Sequence, residues 1–174
     1  MTAQPIDVFV NTGVFIALLM LVAWLVSLPL RNASIADIVW GCGFVLVAWV
    51  TFFTVNRPLD PRQALLLGIP TFWGLRLSLH LFRRNHGKPE DKRYQALRAQ
   101  RPDSFGWVSL VTVFGLQGVL MFGVSLPVQL GQLAPSVPLG AFAWAGLALC
   151  ALGLFFEVVG DHQLAQFVKN PANK

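Results

Sequence analysis

Three ionisable side chains and a tryptophan share one helical face inside the third long apolar stretch of this chain. Four residues follow one another at steps of three, four and three, which places them together on a helix: Trp73, Arg76, His80 and Arg83. An ionisable group inside a membrane span costs at least about 2.5 to 3.5 kcal/mol, so each one is a functional hypothesis. This face is therefore predicted to meet protein, water or a polar ligand. The alternatives are that Arg76 pairs with a carboxylate of another helix and that Arg83 reaches the lipid headgroups.

Other polar residues occur where apolar ones are expected. Glu157 and Asp161 lie one helical turn apart near the end of the fifth apolar stretch, where they could project into one cavity facing the cytoplasm. The alternative is a hydrated helix end. Gln117 also lies in the middle of an apolar stretch, the fourth, where it could simply join two helices by a hydrogen bond of about 0.6 kcal/mol.

The connection between the third and fourth apolar stretches carries an unusual mixture of charges. Seven of the thirteen Lys and Arg residues lie between Arg83 and Arg101, and they are interleaved with Glu90, Asp91 and Tyr94. Basic groups beside a cavity that already holds carboxylates suit a phosphate-bearing ligand such as a dinucleotide. The alternative is a solvated connector that touches anionic lipids.

The elements that must position these residues are membrane-spanning helices. The chain is 55% hydrophobic and only 12% charged, with a mean hydropathy of +0.62, whereas a soluble domain carries about 25% charged residues. About 20 apolar helical residues cross a bilayer, and five stretches are long enough: Val8 to Leu28, Ile38 to Val55, Ala64 to Phe82, Phe105 to Val128, and Val137 to Val159. We predict an all-α, multi-pass membrane protein with one transmembrane domain over residues 1–174.

The distribution of basic residues predicts the orientation of these spans. Ten Lys and Arg residues, Lys174 among them, fall on the side of the large loop, and only Arg57 and Arg62 fall on the opposite side. The excess marks the cytoplasmic side, so the amino terminus is expected outside and the carboxyl terminus inside. The net charge of +5 is then explained without a nucleic-acid partner. Cys42 and Cys150 lie within predicted spans, so neither a disulfide nor a metal site is expected.

Local signals predict how the helices begin. The spacing of Ser34 and Asp37 fits a capping box at the start of the second span, and Asp37 is therefore interpreted as a cap. Asp103 and Ser104 offer a cap to the fourth span. Within the cytoplasmic loop, residues 83–104, we predict a short interfacial helix from Pro89 to Ala99. Its Tyr94 and Leu97 are expected to face the lipid or the bundle together.

Several of these residues form a pattern that resembles a known family. The pattern reads, in order, Asp37-x-x-Trp40-Gly41, Trp73-Gly74-x-Arg76-Leu77, Arg83-x-Asn85-x-Gly87-Lys88-Pro89-Glu90-Asp91-x-Arg93-Tyr94, Gln117-Gly118 and Glu157-x-x-x-Asp161-x-Gln163. It resembles the bacterial membrane proteins of the steroid 5-alpha-reductase-like family, many of them described only as a domain of unknown function. The resemblance runs from about Asp37 to the end of the chain, and the long loop is its most specific part.

The resemblance implies a multi-pass reductase that uses NADPH to reduce a carbon–carbon double bond conjugated to a carbonyl in a lipid-like, apolar substrate. The catalytic acid would be His80, three residues before Arg83, where steroid reductases have a tyrosine, with Tyr94 as the alternative. The implied cofactor ligands are Arg83, Lys88, Arg93, Glu157 and Asp161. The residues expected to line the substrate pocket are Trp40, Trp73, Arg76 and Gln117.

The resemblance also implies that relatives continue beyond Lys174 with segments that complete the cofactor pocket. We therefore expect this chain to be the amino-terminal part of a reductase, inactive alone, in a bilayer that the resemblance suggests is a bacterial inner membrane. Two alternatives stay open: a membrane methyltransferase of the isoprenylcysteine carboxyl type, and a non-catalytic membrane protein that binds another subunit. The choice between NADPH and NADH, the substrate and the oligomeric state also stay open.

Overall fold

A computed structural model describes residues 4–170, and the all-helical prediction is confirmed there: the described part contains helices and no strand. The helices are α1 (Pro5–Leu30), α2 (Ile35–Val55), α3 (Pro61–Asn85), α4 (Lys92–Gln100), α5 (Phe105–Leu133) and α6 (Ala141–Lys169). All but α4 are long and apolar enough to span a membrane. The chain forms two compact units, one holding α1 to α5 and the other holding α6. Lys174, which entered the charge count, lies outside the described residues.

Close backbone contact joins α2 to α3. A Cβ atom added to Gly41 would collide with the carbonyl oxygen of Gly74, and one added to Gly74 would collide with that of Gly41. Beside this contact, the Ser78 hydroxyl donates to the Ile38 carbonyl at 2.7 Å and accepts from the Cys42 N–H at 2.9 Å. Small residues at a helix interface allow this approach inside a membrane. The two Trp-Gly pairs of the sequence pattern are thus explained partly by packing.

A π-helical turn interrupts α5 at Leu110–Gly115, where the sequence predicts a uniform span. Each residue of a regular α-helix advances about 100° around the axis, so one extra residue in a turn rotates the rest of the helix relative to its start. The turn keeps Phe105 and Ser109 on the same buried side as Gly118 and Met121. Gln117, next to Gly118, receives its direction from this turn.

The loop helix is shorter than predicted. It begins at Lys92 and not at Pro89, because the Asp91 carboxylate accepts a hydrogen bond from the Arg93 N–H and caps the helix there. Tyr94 is 7% exposed, whereas Leu97 is 41% exposed. The expectation that these two side chains face the same surroundings is therefore wrong, since only Tyr94 turns into the bundle.

The predicted capping box at Ser34 and Asp37 is also wrong. The Ser34 side chain makes no cap bond, and its hydroxyl instead accepts from the Asp91 N–H at 2.8 Å. Ser104 precedes α5 as expected, but its side chain makes no cap bond either. In the second unit, α6 continues ten residues past the predicted end of the fifth span, to Lys169, so Glu157 and Asp161 lie within the helix.

Candidate functional site

The centre of the candidate site is a hydrogen-bonded group of three side chains from three helices. Tyr94 of α4 donates its phenolic proton to Oδ1 of Asp37, at the start of α2, over 2.6 Å. Gln117 of α5 donates from Nε2 to the same carboxylate oxygen at 3.3 Å and to the Tyr94 hydroxyl oxygen at 3.2 Å. Each of the three side chains is therefore bonded to the other two. We call this group the Asp37–Tyr94–Gln117 triad.

The second oxygen of Asp37 is held by a charged partner. The Arg93 guanidinium donates from Nη2 to Asp37 Oδ2 at 2.8 Å and from Nε to Asp91 Oδ1 at 3.0 Å. The Asp37 side chain is 16% exposed, whereas that of Arg93 is 66% exposed. Asp37 thus has donors on both oxygens, and Arg93 keeps much of its surface open to solvent.

The same loop is fastened to the bundle by Glu90. Its carboxylate receives two hydrogen bonds from Arg98, of 2.9 and 2.8 Å, and one from the Ala33 N–H at 2.7 Å. The Arg98 guanidinium lies over the Phe105 ring, 4.4 Å from its centre, an arrangement that cation–π attraction favours. Burial by itself raises the pKa of Glu90, but the bonds from Arg98 and Ala33 outweigh it and hold the pKa below its usual value of 4.5.

Electrostatics keep the Tyr94 hydroxyl protonated. Burial is the largest cause that raises its pKa, and the hydrogen bond to the Asp37 carboxylate raises it further, because a phenolate beside a carboxylate would place two negative charges together. Tyr94 can therefore serve as a proton donor or as a neutral hydrogen-bonding group at any physiological pH.

A cavity of about 390 Å³ opens beside the triad. Its polar lining comes from Asp37 and Gln117 of the triad and from the guanidinium groups of Arg84 and Arg93. The apolar lining comes from Trp40, Leu81 and Leu120. Tyr94 is bonded to two of the lining residues. Binding pockets in proteins combine an apolar lining with a few convergent polar groups in this way.

The lining residues fit part of a dinucleotide. Arg84 is exposed, and its Nε donates to the neighbouring Asn85, so its guanidinium is accessible to a phosphate. Arg93 adds a second positive charge, although Asp37 and Asp91 already offset it. Guanidinium groups bind phosphates in two-pronged geometry. The residues present are therefore compatible with a phosphate-bearing ligand.

Four of the predicted site residues lie at or beside this cavity. The structure brings together Trp40, Arg93 and Gln117 at the cavity wall and Tyr94 beside it. Trp73 packs against Phe44, with ring centres 5.4 Å apart.

Of the remaining predicted residues, three belong to α3, one to the loop and two to α6. Arg76, His80 and Arg83 follow Trp73 along α3, as the spacing predicts, and this face is distinct from the buried side of α3 that carries Gly74 and Ser78. Lys88 is exposed in the loop. Glu157 and Asp161 lie one turn apart on α6, in the second compact unit.

Two residues of the cavity were missed from the sequence. Asp37 was interpreted as a helix cap, although its place at the head of the Asp37-x-x-Trp40-Gly41 pattern could have indicated a site. Arg84 is not among the candidate site residues either, although it lies four residues after His80 and so fits the same spacing. Arg84 and Leu81 both line the cavity.

Comparison with known proteins gives a family but no function. In the comparisons with curated proteins and with solved structures, nothing matches this chain. One family model, described as "Protein of unknown function (DUF1295)", matches residues 23–174 and so covers every residue of the triad and of the cavity. The chain belongs to the DUF1295 family of proteins of unknown function.

Proposed function

We propose that this chain is part of an integral-membrane, NADPH-dependent reductase that saturates a carbon–carbon double bond conjugated to a carbonyl in an apolar, lipid-like substrate. The observation that carries the proposal is a phenol hydroxyl, hydrogen-bonded to a carboxylate and an amide, beside a cavity that is also lined by two arginines. The resemblance of the sequence pattern to steroid 5-alpha-reductase-like proteins supports it. We propose a bacterial inner membrane as its location.

The reaction needs a hydride and a proton. A reduced nicotinamide dinucleotide, when bound, would supply the hydride to the β carbon, and the electrons of the double bond would move toward the carbonyl oxygen. A donor beside that oxygen stabilises the developing negative charge, and does so most strongly where water is excluded. A proton then completes the saturated carbonyl product. The protein must bind the carbonyl at a donor and keep water away from it.

Tyr94 is the best placed proton donor. Its single proton now points to Asp37, and it would turn to a substrate carbonyl that reaches the triad. Asp37 would keep Gln117 and Arg93 as donors after that turn, so no carboxylate oxygen would be left without a partner. We therefore assign the acid role to Tyr94, with Asp37 and Gln117 as positioning residues. His80 of α3, one turn before Arg84, stays the other candidate from the sequence.

We assign the substrate to the apolar part of the cavity and the phosphates of the cofactor to its cationic part. Trp40, Leu81 and Leu120 suit the substrate, while Arg84 and Arg93 suit the phosphates of the cofactor. Lys88 and Arg83 are further candidate phosphate ligands from the sequence pattern. Glu157 and Asp161 remain our candidates for polar contacts to the nucleotide.

The test is ligand binding to the full-length protein purified in detergent. We expect saturable binding of NADPH, weaker binding of NADH, and none of S-adenosylmethionine. Asp161→Ala should weaken NADPH binding, whereas Asp7→Ala, on the first helix, should not. Preference for S-adenosylmethionine would replace the reductase with a methyltransferase, and no binding of either compound would favour the non-catalytic interaction protein.

A further inference from the structure

A second set of buried polar side chains lies in the other half of the α1 to α5 unit. Thr51 and Asp37 are both on α2, about 21 Å apart at 1.5 Å per residue. Thr51 is 0% exposed, Gln63 of α3 is 2% exposed, and Gln132 of α5 is 0% exposed. Three helices thus place polar side chains in the protein interior, away from the candidate site.

Two hydrogen bonds fix the direction of both amide groups. Gln63 Nε2 donates to the Gln132 carbonyl oxygen at 3.0 Å, and Gln132 Nε2 donates to the Ala48 carbonyl oxygen at 3.0 Å. The opposite orientation of either amide would place two oxygens against each other. The Oε1 atoms of both glutamines are therefore acceptors that these two bonds do not use.

These acceptors and a nearby hydroxyl have no hydrogen-bond partner in the part of the chain that the structure describes: the atoms are Thr51 Oγ1, Gln63 Oε1 and Gln132 Oε1. Buried polar groups in folded proteins are nearly always bonded to protein or to ordered water. The three groups are connected, since Gln132 bonds the carbonyl of Ala48, one turn before Thr51, and Gln63 bonds the backbone of Gln132.

We propose that one internal water molecule is bound between Thr51, Gln63 and Gln132. The water donates its two protons to the two amide oxygens and accepts the hydroxyl proton of Thr51. This matches the number and kind of the three unsatisfied atoms, and three bonds is the usual number for a buried water. A cation fits less well, because the set has three neutral oxygens and no carboxylate. The water joins α2, α3 and α5 in the half of the unit away from the triad.

Proton-detected solid-state NMR of the protein in lipid bilayers tests the site. We expect magnetisation to transfer from water to the side-chain amide protons of Gln63 and Gln132, although both side chains are buried. Thr51→Val keeps the shape of the side chain but removes one of the three bonds, and it should reduce this transfer at least about twofold. Thr51→Ser should restore it. The matched control is Thr112→Val, an exposed threonine whose hydroxyl bonds only the Val108 carbonyl.

The wild-type spectrum alone can overturn the proposal. If both amides are resolved and receive no transfer from water, no water is bound there, whether or not the variants fold. Unchanged transfer in a folded Thr51→Val protein would remove Thr51 from the site and so reject the three-partner arrangement. We expect NADPH binding to be the same in Thr51→Val and wild type. The NMR test of the water site therefore does not depend on whether the proposed function is correct.

Discussion

The Tyr94 hydroxyl bonds Oδ1 of Asp37 at 2.6 Å, although the two residues lie on different helices and are 57 positions apart in the chain. This bond makes the loop helix α4 part of the candidate site. The Glu90 carboxylate accepts from the Ala33 N–H and the Asp91 N–H donates to the Ser34 hydroxyl, and both bonds hold the start of α4 against the residues directly before α2. The loop residues before α4 therefore position Tyr94.

Replacement of the phenol tests the assigned acid. Tyr94→Phe removes the proton but leaves the buried ring, so we expect turnover to fall by about 10² to 10⁴ with little change in the dissociation constant of NADPH. Steady-state rates of NADPH oxidation with an enone substrate measure the first quantity, and fluorescence titration measures the second. Trp107→Phe, at a ring that is 73% exposed, serves as the control. Full turnover in Tyr94→Phe would show that another group supplies the proton.

A substitution at Arg84 tests whether its charge contributes to NADPH binding. Arg84→Gln removes an exposed positive charge at the cavity, so we expect the NADPH dissociation constant to rise about 10-fold at low salt. The difference from wild type should shrink as salt increases, because screening weakens the contact between exposed charges. Arg31→Gln, at the end of α1, is the matched change of charge on a residue that does not line the cavity. Equal effects of the two changes would mean that the net charge, and not the site, is responsible.

The Glu90–Arg98 pair should contribute stability that depends on pH. Glu90→Gln weakens bonds to a charged partner and should lower the free energy of unfolding by about 2 kcal/mol at pH 7. The pKa of Glu90 in the folded protein is below its usual value of 4.5. The stabilisation by the Glu90 carboxylate is therefore complete above about pH 4.5 and is lost as the pH falls through the pKa of Glu90 in the folded protein.

Thermal unfolding in detergent, from pH 7 down to pH 3, measures the difference in stability between the wild type and Glu90→Gln. The wild type and Glu90→Gln should converge at the acid end. Asp103→Asn, at an exposed residue before α5, should match the wild type throughout. A constant gap between Glu90→Gln and wild type over the whole range would contradict an ionic role for the carboxylate.

The contact between α2 and α3 should tolerate no side chain. Gly41→Ala places a methyl group against the backbone of α3, and we expect a loss of at least about 1 to 3 kcal/mol, since backbone atoms cannot turn aside. Gly68→Ala is the control on α3, because nothing lies within 4 Å of its added Cβ, and it should be neutral or slightly stabilising. Chemical unfolding in mixed micelles compares the two variants. Similar stability of both would show that the helices separate at little cost.

Local and additive properties were predictable from the sequence. Long apolar runs must form helices in a bilayer, because every backbone polar group has to be bonded internally, and this determined the all-helical class and the five long apolar helices. The steps of three and four residues determined which side chains of α3 share a face. The mixture of acids, bases and Tyr94 indicated that the loop is more than a connector.

The assembly of the site was decided only by the tertiary structure. Asp37 follows a serine at the spacing of a capping box, and a single helix offers it no better partner than its own backbone. The folded chain offers Tyr94, Arg93 and Gln117 instead, and all three donate to its carboxylate. The direction of Gln117 depends on a π-helical turn that an apolar stretch does not reveal. The sequence therefore indicated candidate residues, and long-range hydrogen bonds between helices decided which side chains meet.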